Sequence, residues 1–276
     1  MLTSLHDTVT LNNGVEMPIF GLGVYKVEEG NQTYDTVKTA LELGYRLIDT
    51  AAFYENEAGV GRAIKDSGIP REDVFVTTKV WNDQQGYDST LKAFENSLEK
   101  LGLDYVDLYL IHWPVKGKYL DTWRALEKIY REGKAKAIGV SNFNIHHLKD
   151  ILEHGSEVPA VNQVELHPFL SQQELRAFCE EQNIKVEAWS PIARGRVLEE
   201  PALKQVAEKH GKSPAQVILR WHLQNGVIVI PKSVNPARLQ ENAAIFDFEL
   251  SNEDMEKINS LNKNERFGAD PDHFDF

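Results

Sequence analysis

The sequence predicts a single α/β domain, a (β/α)8 TIM barrel with an N-terminal β-hairpin. Apolar runs rich in β-branched residues alternate with helical patterns along the chain, which favours parallel strands joined by crossover helices. Eight such runs occur, the number that closes a parallel barrel, and 276 residues is an ordinary length for that fold. No linker, short repeat or low-complexity segment divides the sequence. We therefore assign residues 1–276 to one domain.

The predicted elements follow one another in a regular order. The segment TVTLNNGVEMP indicates the opening hairpin, because Asn13 and Gly14 form a turn signal between two short alternating runs. Helical patterns such as TYDTVKTALELG and STLKAFENSLEKLG separate the strands, with Gly44 and Gly102 at their expected C-terminal caps. The strand candidates are IFGLGV, YRLID, VFVTTK, VDLYLIH, AKAIGV, VNQVE, KVEAWS and VIVIPK.

Composition and charge narrow the class of protein. With 42% hydrophobic and 26% charged residues, the chain has the balance of a globular protein. Its formal net charge of −12 argues against nucleic acid or an anionic membrane as a partner. No apolar stretch approaches the roughly 18 residues of a membrane span, and MLTSLHDTVT lacks the pattern of a secretory signal. We therefore expect a cytoplasmic protein, and nothing in the sequence demands more than a monomer.

Two pairs of glycines raise the alternative of a doubly wound dinucleotide-binding fold. Gly21 with Gly23, and Gly59 with Gly61, each begin a GxG. Neither pair completes GxGxxG, and no acidic residue follows in the expected context. We interpret these glycines as tight-turn residues.

Metal and thiol chemistry have little support in the sequence. His146 and His147 are adjacent at the start of a predicted helix and are expected to point apart, and no HExxH motif occurs, so no metal site is predicted. Cys179, the single cysteine, lies in an amphipathic helical pattern with its apolar side expected to face inward. We interpret it as a small buried apolar residue.

Four residues of different chemistry lie at or just after the ends of predicted strands: Asp49, Tyr54, Lys79 and His112. Because all strands of such a barrel end at one face, these side chains are expected to share a cleft. A phenol is a poor proton donor at neutral pH, but a nearby ammonium lowers its pKa and a carboxylate can hold that ammonium in place. Each residue alone has a structural interpretation, such as a helix cap or a core histidine. Together at one edge, they favour proton donation to a carbonyl.

Several segments together resemble the aldo-keto reductases: GYRLIDTAAFYENEAGVG, TTKVW, LDYVDLYLIHWP, IGVSNF, VNQVELHP and IPKSVNPARLQEN. The likeness runs from GLGVYK, at residue 21, to residue 242. The short segment after HWP and the closing GADPDHFDF are most similar to bacterial diketogluconate and methylglyoxal reductase-like members. The resemblance implies NADPH-dependent reduction of small aldehydes and ketones, such as methylglyoxal, aromatic aldehydes and sugar-derived carbonyls. It also implies that Asp49, Tyr54, Lys79 and His112 are the catalytic residues.

The nicotinamide end of the cofactor would need side chains that donate and accept hydrogen bonds. Ser141, Asn142 and Gln163 supply both at the ends of the fifth and sixth predicted strands. Trp189, at the end of the seventh, offers an aromatic face for the nicotinamide ring, where vertebrate relatives more often have tyrosine.

The phosphate end is predicted in the segment IPKSVNPARLQEN. Lys232, Ser233 and Arg238 bring an ammonium, a hydroxyl and a guanidinium close to a helix N-terminus, which suits a 2′-phosphate. Singly, either cation could be a solvated surface charge; the resemblance implies that both bind the cofactor and that NADPH is preferred over NADH. The full expected cofactor-binding set is Gly23, Val24, Asp49, Ser141, Asn142, Gln163, Trp189, Ser190, Ile192, Arg194, Lys232, Ser233, Val234, Arg238, Glu241 and Asn242.

Two segments depart from the family's usual pattern. SPIARGRVL carries Arg194 and Arg196 where many relatives have neutral residues. One of them either strengthens a pyrophosphate clamp or meets an acidic substrate, or both face water. GLGVYK has Val24 and Tyr25 where GLGTW is common, which predicts a smaller aromatic wall carrying a hydroxyl. The expected substrate pocket is lined by Tyr25, Trp81, His112 and Trp113.

Two other functions remain open from the sequence. A cofactor-binding sensor or regulatory module on the same fold would keep the cofactor residues and release product slowly. A Schiff-base aldolase would use Lys79 at a strand end as its nucleophile. That second alternative leaves Lys232 and Arg238 without a role.

Overall fold

The computed structural model describes residues 2–276 of the chain. It begins with the predicted hairpin, in which β1 (Thr8–Thr10) and β2 (Glu16–Pro18) pair antiparallel. Gly14 closes the turn with φ of 88°, a left-handed conformation that glycine adopts without steric cost. Leu11 and Met17 of the hairpin segment pack against apolar side chains of the barrel interior. The hairpin therefore closes one end of the barrel.

Eight parallel strands follow in sequence order within one sheet. A parallel bridge between Phe20 and Val229 joins the two edges of this sheet, and the amide of Gly21 donates to Val229 O at 2.9 Å. The sheet is thereby closed, and the predicted (β/α)8 barrel is confirmed. The strands are β3 (Leu22–Gly23), β4 (Leu47–Asp49), β5 (Phe75–Val80), β6 (Val106–Ile111), β7 (Ala135–Ser141), β8 (Val161–Glu165), β9 (Lys185–Trp189) and β10 (Ile228–Val229).

Helices cover the outside of the barrel, and two of them, α7 and α8, lie between β9 and β10. Gly44 and Gly102 end α1 and α3 in the left-handed conformation, with φ of 104° and 66°, as predicted. No helix within residues 2–276 combines the length and the apolar character needed to cross a bilayer. The helices are α1 (Asn31–Glu42), α2 (Glu57–Asp66), α3 (Tyr87–Leu101), α4 (Tyr119–Arg131), α5 (Ile145–His154), α6 (Gln173–Glu181), α7 (Pro201–His210), α8 (Pro214–Gln224), α9 (Pro236–Ala243) and α10 (Asn252–Asn259).

The interior of the barrel changes from apolar to polar along the strand direction. Alternate residues of a strand point to the same side of a sheet. On β4, Leu47 belongs to the apolar cluster inside the barrel, and Asp49, two residues later, lies buried among polar groups. On β5, Phe75 and Lys79 show the same change. The carboxyl ends of the strands therefore carry the buried polar side chains.

The four glycines interpreted as tight-turn residues have another role, so that interpretation is wrong. Gly59 and Gly61 lie inside α2, where a Cβ on Gly61 would be only 1.9 Å from the backbone oxygen of Leu101 at the end of α3. Gly21 lies in the extended chain at the barrel seam, where a Cβ would be 2.5 Å from Leu47 O. Gly23 lies in β3 and closely approaches Ile230 O. Gly21, Gly23 and Gly61 thus permit close contact between neighbouring backbones, whereas Gly59 leaves room for the side chains of Glu29 and Thr33.

Replacing Gly61 by alanine should destabilise the protein by about 1–3 kcal/mol, because the Leu101 carbonyl is backbone and cannot move away as a side chain can. The steric cost in free energy of unfolding should therefore be larger than the roughly 1 kcal/mol by which alanine is favoured over glycine inside a helix. Gly59→Ala is the matched control, since its closest neighbour is the flexible end of Glu29. Thermal unfolding should show the larger decrease in Tm for Gly61→Ala. Equal Tm values for the two variants would contradict the packing argument.

Candidate active site

A cleft of about 930 Å³ opens at the face where the strands end. Most of the predicted site residues line it: Gly23, Tyr25, Asp49, Tyr54, Trp81, His112, Trp113, Ser141, Asn142, Gln163, Trp189, Ser190, Ile192, Arg194, Lys232 and Arg238. The sequence did not single out ten further lining residues: Lys26, Phe53, Pro191, Gly195, Leu198, Ile230, Pro231, Gly268, Ala269 and Phe276.

Lys79 does not line the cleft but lies beneath it, at the centre of a compact hydrogen-bonded group. Its Nζ donates to Asp49 Oδ2 at 2.7 Å and to the Thr50 carbonyl at 2.9 Å. The Tyr54 hydroxyl lies 3.3 Å from the same nitrogen. Tyr54 reaches this position because a short 3₁₀ helix, Ala52–Tyr54, turns the chain back directly after β4. The structure thus brings together the three groups that the sequence analysis linked.

The Lys79 side chain is fully buried and stays an ammonium. Burial by itself would lower its pKa, but the Asp49 carboxylate and the Tyr54 hydroxyl outweigh burial and hold the pKa above its ordinary value. Burial raises the pKa of Asp49, while hydrogen bonds from Lys79 and Gln163 favour its ionised form. Lys79 and Asp49 therefore form an ammonium–carboxylate pair that is shielded from water.

The sequence analysis predicted that Lys79 lowers the pKa of Tyr54. That prediction is wrong, because the pKa is raised overall. Burial raises the pKa of Tyr54 to about 12, and the positive charge of Lys79 offsets only part of this increase. Desolvation opposes formation of a buried phenolate, and burial at this position was not readable from the sequence. Tyr54 is consequently a protonated phenol throughout the physiological pH range, with an ammonium beside its oxygen.

His112 directly follows β6 and lies on the other side of Tyr54, with ring centroids 5.7 Å apart. Burial, aided by the charge of Lys79, lowers its pKa well below the ordinary value, so the ring is neutral. Its Nδ1 atom is buried without a hydrogen-bond partner among residues 2–276. A proton there would be a buried unsatisfied donor, which favours the tautomer with the proton on Nε2. The neutral ring then offers one N–H to the cleft.

The residues predicted for the nicotinamide amide form a network of their own. Asn142, in a left-handed conformation with φ of 63°, donates through Nδ2 to His112 O at 3.0 Å. Trp189 Nε1 donates to Asn142 Oδ1 at 2.8 Å, and Ser141 Oγ donates to Gln163 O at 2.8 Å. These bonds fix the Trp189 indole against the ends of the neighbouring strands. The bond between Trp189 and Asn142 joins residues 47 positions apart, and no local sequence signal indicates it.

Gln163 connects this network to the buried ion pair. Its Nε2 donates to Asp49 Oδ1 at 2.8 Å and to Glu187 Oε1 at 2.5 Å. Both amide hydrogens are thereby used, which leaves the amide oxygen for the cleft. Glu187 was missed by the sequence analysis, although the alternation in KVEAW places it on the same side of β9 as Trp189.

Three basic side chains that line the cleft belong to two segments, one before α1 and one around β10 and α9. Arg238 lies in the first turn of α9, and its backbone amide donates to the capping side chain of Asn235. Lys232 follows β10, and its pKa is lowered by burial and by the nearby ammonium of Lys26. Lys26 is therefore a third cation of the cleft lining, in addition to Lys232 and Arg238, which the sequence analysis singled out.

Five predicted cofactor residues do not line the cleft: Val24, Ser233, Val234, Glu241 and Asn242. Val24 is fully buried, and the Ser233 hydroxyl accepts the backbone amide of Asn235. Val234 is 45% exposed, and Glu241 and Asn242 lie on α9. Their contact with a cofactor remains a prediction.

The two unusual arginines occupy different surroundings. Arg194 lines the cleft, in a loop where Ser190 and Ala193 also have positive φ. The Arg196 guanidinium lies 4.5 Å from the centroid of the Phe267 ring, a cation–π distance. Only Arg194 can therefore meet a ligand in the cleft without rearrangement.

The C-terminal segment forms one wall of the cleft. Glu165 accepts hydrogen bonds from the backbone amides of Phe267 at 2.7 Å and Gly268 at 2.9 Å. At its far end, the Asn82 side chain donates to Phe276 O at 3.0 Å, and the Phe276 ring stacks parallel to Trp81. The tail thus packs against the ring of the predicted pocket residue Trp81, which still lines the cleft.

His146 and His147 do not point apart, and that expectation is wrong. Their ring centroids are 3.8 Å apart, and both rings face Asp272, which the tail brings to the start of α5. His147 Nδ1 accepts the backbone amide of Asn144, and burial lowers its pKa to about 4. The neutral ring therefore carries its proton on Nε2, facing Asp272. That Nε2 atom lies 3.6 Å from Asp272 Oδ1, whereas His146 Nε2 lies at a hydrogen-bond distance of 2.7 Å from the same oxygen.

Comparison with known proteins places these features in a wider group. Residues 20–263 match the sequence model of the Aldo/keto reductase family. The chain is 62% identical over 276 residues to a glyoxal reductase of Bacillus subtilis (strain 168), with 100% of both chains covered. It is 44% identical over 270 residues to methylglyoxal reductase DkgA of Salmonella typhimurium, covering 96% of this chain and 97% of that protein.

Solved structures show the same likeness. An aldo-keto reductase enzyme from a Medee basin deep-sea metagenome library has a TM-score of 0.95 at 49% identity, covering 98% of this chain and 100% of that one. Gox0644, solved as a mutant in complex with NADPH, has a TM-score of 0.93 at 48% identity, covering 98% of both chains. These findings confirm the resemblance that the sequence motifs indicate.

Replacing Lys79 by methionine should destabilise the protein by about 3–5 kcal/mol, because Asp49 would be left as a buried charge without its cation. The loss should be smaller at about pH 4 than at about pH 8. Without Lys79, the pKa of Asp49 in the folded variant lies further above its value in the unfolded chain. The folded variant must therefore bury a carboxylate as the pH rises through that pKa, and its free energy of unfolding falls. Denaturant unfolding at the two pH values measures the effect. Asp49→Asn in the same chain should restore part of the stability; no recovery would contradict the pairing argument.

Proposed function

Because the chain belongs to the aldo/keto reductase family, we propose that it reduces small aldehydes and ketones to alcohols with NADPH. The observation that carries the proposal is the position of the Tyr54 hydroxyl, 3.3 Å from the buried Lys79 ammonium and beside the neutral His112 ring. A carbonyl oxygen placed between Tyr54 and His112 would meet two hydrogen-bond donors. Such an arrangement suits proton donation to an oxygen that gains negative charge.

The cleft fits a dinucleotide at both of its ends. The free amide oxygen of Gln163 can accept a hydrogen bond from a carboxamide, and the indole of Trp189 offers a flat face to a ring. Lys26, Lys232 and Arg238 supply positive charge for phosphates at the other end. NADPH, when bound, supplies the hydride that reduces the carbonyl carbon.

The protein's own part in the reaction is the transfer and stabilisation of one proton. Tyr54 donates its hydroxyl proton to the substrate oxygen, so the O–H bond of the phenol breaks and an alcohol O–H bond forms. Lys79 stabilises the phenolate as it develops, because the ammonium is 3.3 Å from the oxygen and shielded from water. Asp49 holds Lys79 in place, and His112 donates its N–H to orient the carbonyl. The high pKa of Tyr54 keeps the proton available at neutral pH.

The substrates are proposed to be small carbonyl compounds, with methylglyoxal, aromatic aldehydes and sugar-derived carbonyls as the candidates. Tyr25, Phe53, Trp81 and Trp113 give the substrate side of the cleft an aromatic wall. The relatives named glyoxal reductase and methylglyoxal reductase support the dicarbonyl candidates. A monomeric unit of one domain is proposed from the sequence pattern. A cytoplasmic location is proposed from the sequence pattern.

The alternative of a Schiff-base aldolase fits the cleft poorly. An amine must be neutral to attack a carbonyl. Lys79 is fully buried, donates to Asp49 and Thr50, and has a raised pKa. Its nitrogen is therefore protonated and surrounded by acceptors. The sensor alternative predicts cofactor binding with slow turnover, which the first experiment below distinguishes.

Tyr54→Phe should lower kcat for NADPH-dependent reduction of methylglyoxal by about 10²–10⁴-fold, the usual effect of removing a positioned acid. The Kd for NADPH, measured by fluorescence titration, should stay within about twofold, because the ring remains in place. Tyr34→Phe provides the matched control, since this phenol lies on α1 outside the cleft and bonds to Asp66. Wild-type turnover by Tyr54→Phe would show that another group donates the proton. Tight NADPH binding without turnover in the wild type would favour a sensor.

Arg238→Ala should raise the Kd for NADPH by about 10–100-fold while leaving the Kd for NADH nearly unchanged. Only NADPH carries the 2′-phosphate, and a charge-assisted hydrogen bond contributes about 1.5–3 kcal/mol. Titration of both cofactors against wild type and variant measures the difference. Arg124→Ala, an exposed arginine on α4, is the control. An equal loss for both cofactors would place Arg238 elsewhere than at the 2′-phosphate.

A further inference from the structure

We propose that Glu187 is a positioning residue that remains a protonated carboxylic acid during turnover, fixes the orientation of Gln163 and keeps the buried charge around Asp49 and Lys79 balanced. The inference rests on the proposed function and deepens it. It concerns a carboxyl group that lies beneath the cleft and does not line it.

The position of Glu187 follows from the register of the barrel. It lies in the middle of β9, where its side chain is fully buried. Its register neighbours are Gln163 on β8 and Ile228 on β10. Glu187 Oε1 accepts a hydrogen bond from Gln163 Nε2. The acid is therefore held between an amide and an apolar strand.

Glu187 determines which way the Gln163 amide faces. An amide nitrogen has two hydrogens, and here one is donated to Asp49 and the other to Glu187. Turning the amide over would set its oxygen against the Asp49 carboxylate, which has no proton to donate, and would leave Glu187 Oε1 without its donor. The two acceptors therefore keep the amide oxygen free for a donor in the cleft. This is the orientation that a bound carboxamide requires from Gln163.

Charge balance favours the neutral form of Glu187. The titratable groups that bear on it are Asp49 of β4 and Lys79 of β5, whose opposite charges cancel, and its β8 and β10 neighbours are uncharged. Glu187 Oε2 is buried and has no hydrogen-bond partner among residues 2–276. Protonation leaves at most one buried O–H without an acceptor, which costs less than a buried carboxylate with a net negative charge and few donors. Burial, with the charge of Asp49, raises the pKa of Glu187 to about 8.

The neutral state of Glu187 matters to the reaction because Tyr54 becomes negative as it gives up its proton. With Glu187 protonated, the phenolate forms next to Lys79 in a group whose other charges cancel. If Glu187 also ionised, a second negative charge in the same low-dielectric region would oppose the phenolate. Glu187 itself neither gains nor loses a proton in the cycle at neutral pH. Reduction should therefore slow as pH rises through the pKa of Glu187.

Steady-state kcat for NADPH-dependent methylglyoxal reduction, measured from about pH 6 to about pH 9.5, tests this consequence. Wild-type kcat should fall at least about threefold above the Glu187 transition, the scale expected for one added like charge. Glu187→Gln keeps the acceptor for Gln163 but cannot ionise, so its kcat should lack this fall. Glu57→Gln is the control, because Glu57 is buried on α2 and bonds to Thr78 outside the barrel interior; it should follow the wild type. Superimposable profiles for wild type and Glu187→Gln would overturn the proposed role.

Thermal unfolding gives a second readout that needs no turnover. The folded-state pKa of Glu187, about 8, lies above its ordinary value of 4.5. The wild type therefore loses stability as pH rises from the lower value through the higher one, and a variant that cannot ionise does not. The Tm difference, variant minus wild type, should therefore increase between about pH 5 and about pH 9. This holds for Glu187→Met and for Glu187→Gln. A constant difference would overturn the protonated state. Absence of wild-type turnover at neutral pH would instead refute the proposed function, and the Tm comparison would still decide the state of Glu187.

Discussion

The ion pair between Lys79 and Asp49 is the interaction on which the cleft depends. Both side chains are removed from water, and a lone buried charge would cost several kcal/mol. The pair is stable there because Lys79 Nζ also donates to the Thr50 carbonyl, and Asp49 accepts a second hydrogen bond from Gln163. The change from apolar to polar side chains along the strands sets this pair above the packed interior of the barrel. The fold thereby holds a fixed positive charge beneath an open cleft.

The Lys79 charge influences the protonation of the neighbouring His112 and Tyr54 side chains. Lys79 contributes to keeping His112 neutral and partly offsets the cost of a Tyr54 phenolate. Gln163 links the ion pair to Glu187, because its amide donates one hydrogen bond to Asp49 and another to Glu187. A proton donor with a pKa near 12 is therefore compatible with catalysis. The ammonium acts most strongly on the transition state, in which the phenol oxygen has gained negative charge.

Most of the fold and much of the site could be predicted because their signals are local. Apolar runs marked the strands, and Asp49, Tyr54, Lys79 and His112 stood out because four different chemistries fall at the ends of such runs. The resemblance added the cofactor set, of which five members do not line the cleft.

The features that the sequence analysis missed depend on contacts between distant segments or on burial. The stacking of Phe276 on Trp81 joins residues that are far apart in the chain. Gly61 looked like a turn residue because its partner, Leu101, lies on another helix. Burial decided the direction of the Tyr54 pKa, and an isolated glutamate in a strand, such as Glu187, gives no sign in sequence that it is enclosed.

The central claim is that Tyr54, supported by the buried pair of Lys79 and Asp49, gives its proton to the substrate. Replacing Tyr54 with a series of fluorinated tyrosines would change the acidity of the phenol with little change in its shape. Single-turnover oxidation of bound NADPH by methylglyoxal would then be measured for each protein at one pH below all the phenol pKa values. The account predicts that the rate increases steadily as the phenol becomes more acidic, because the transferred proton leaves more easily. A rate independent of fluorination, in proteins that bind NADPH normally, would contradict it.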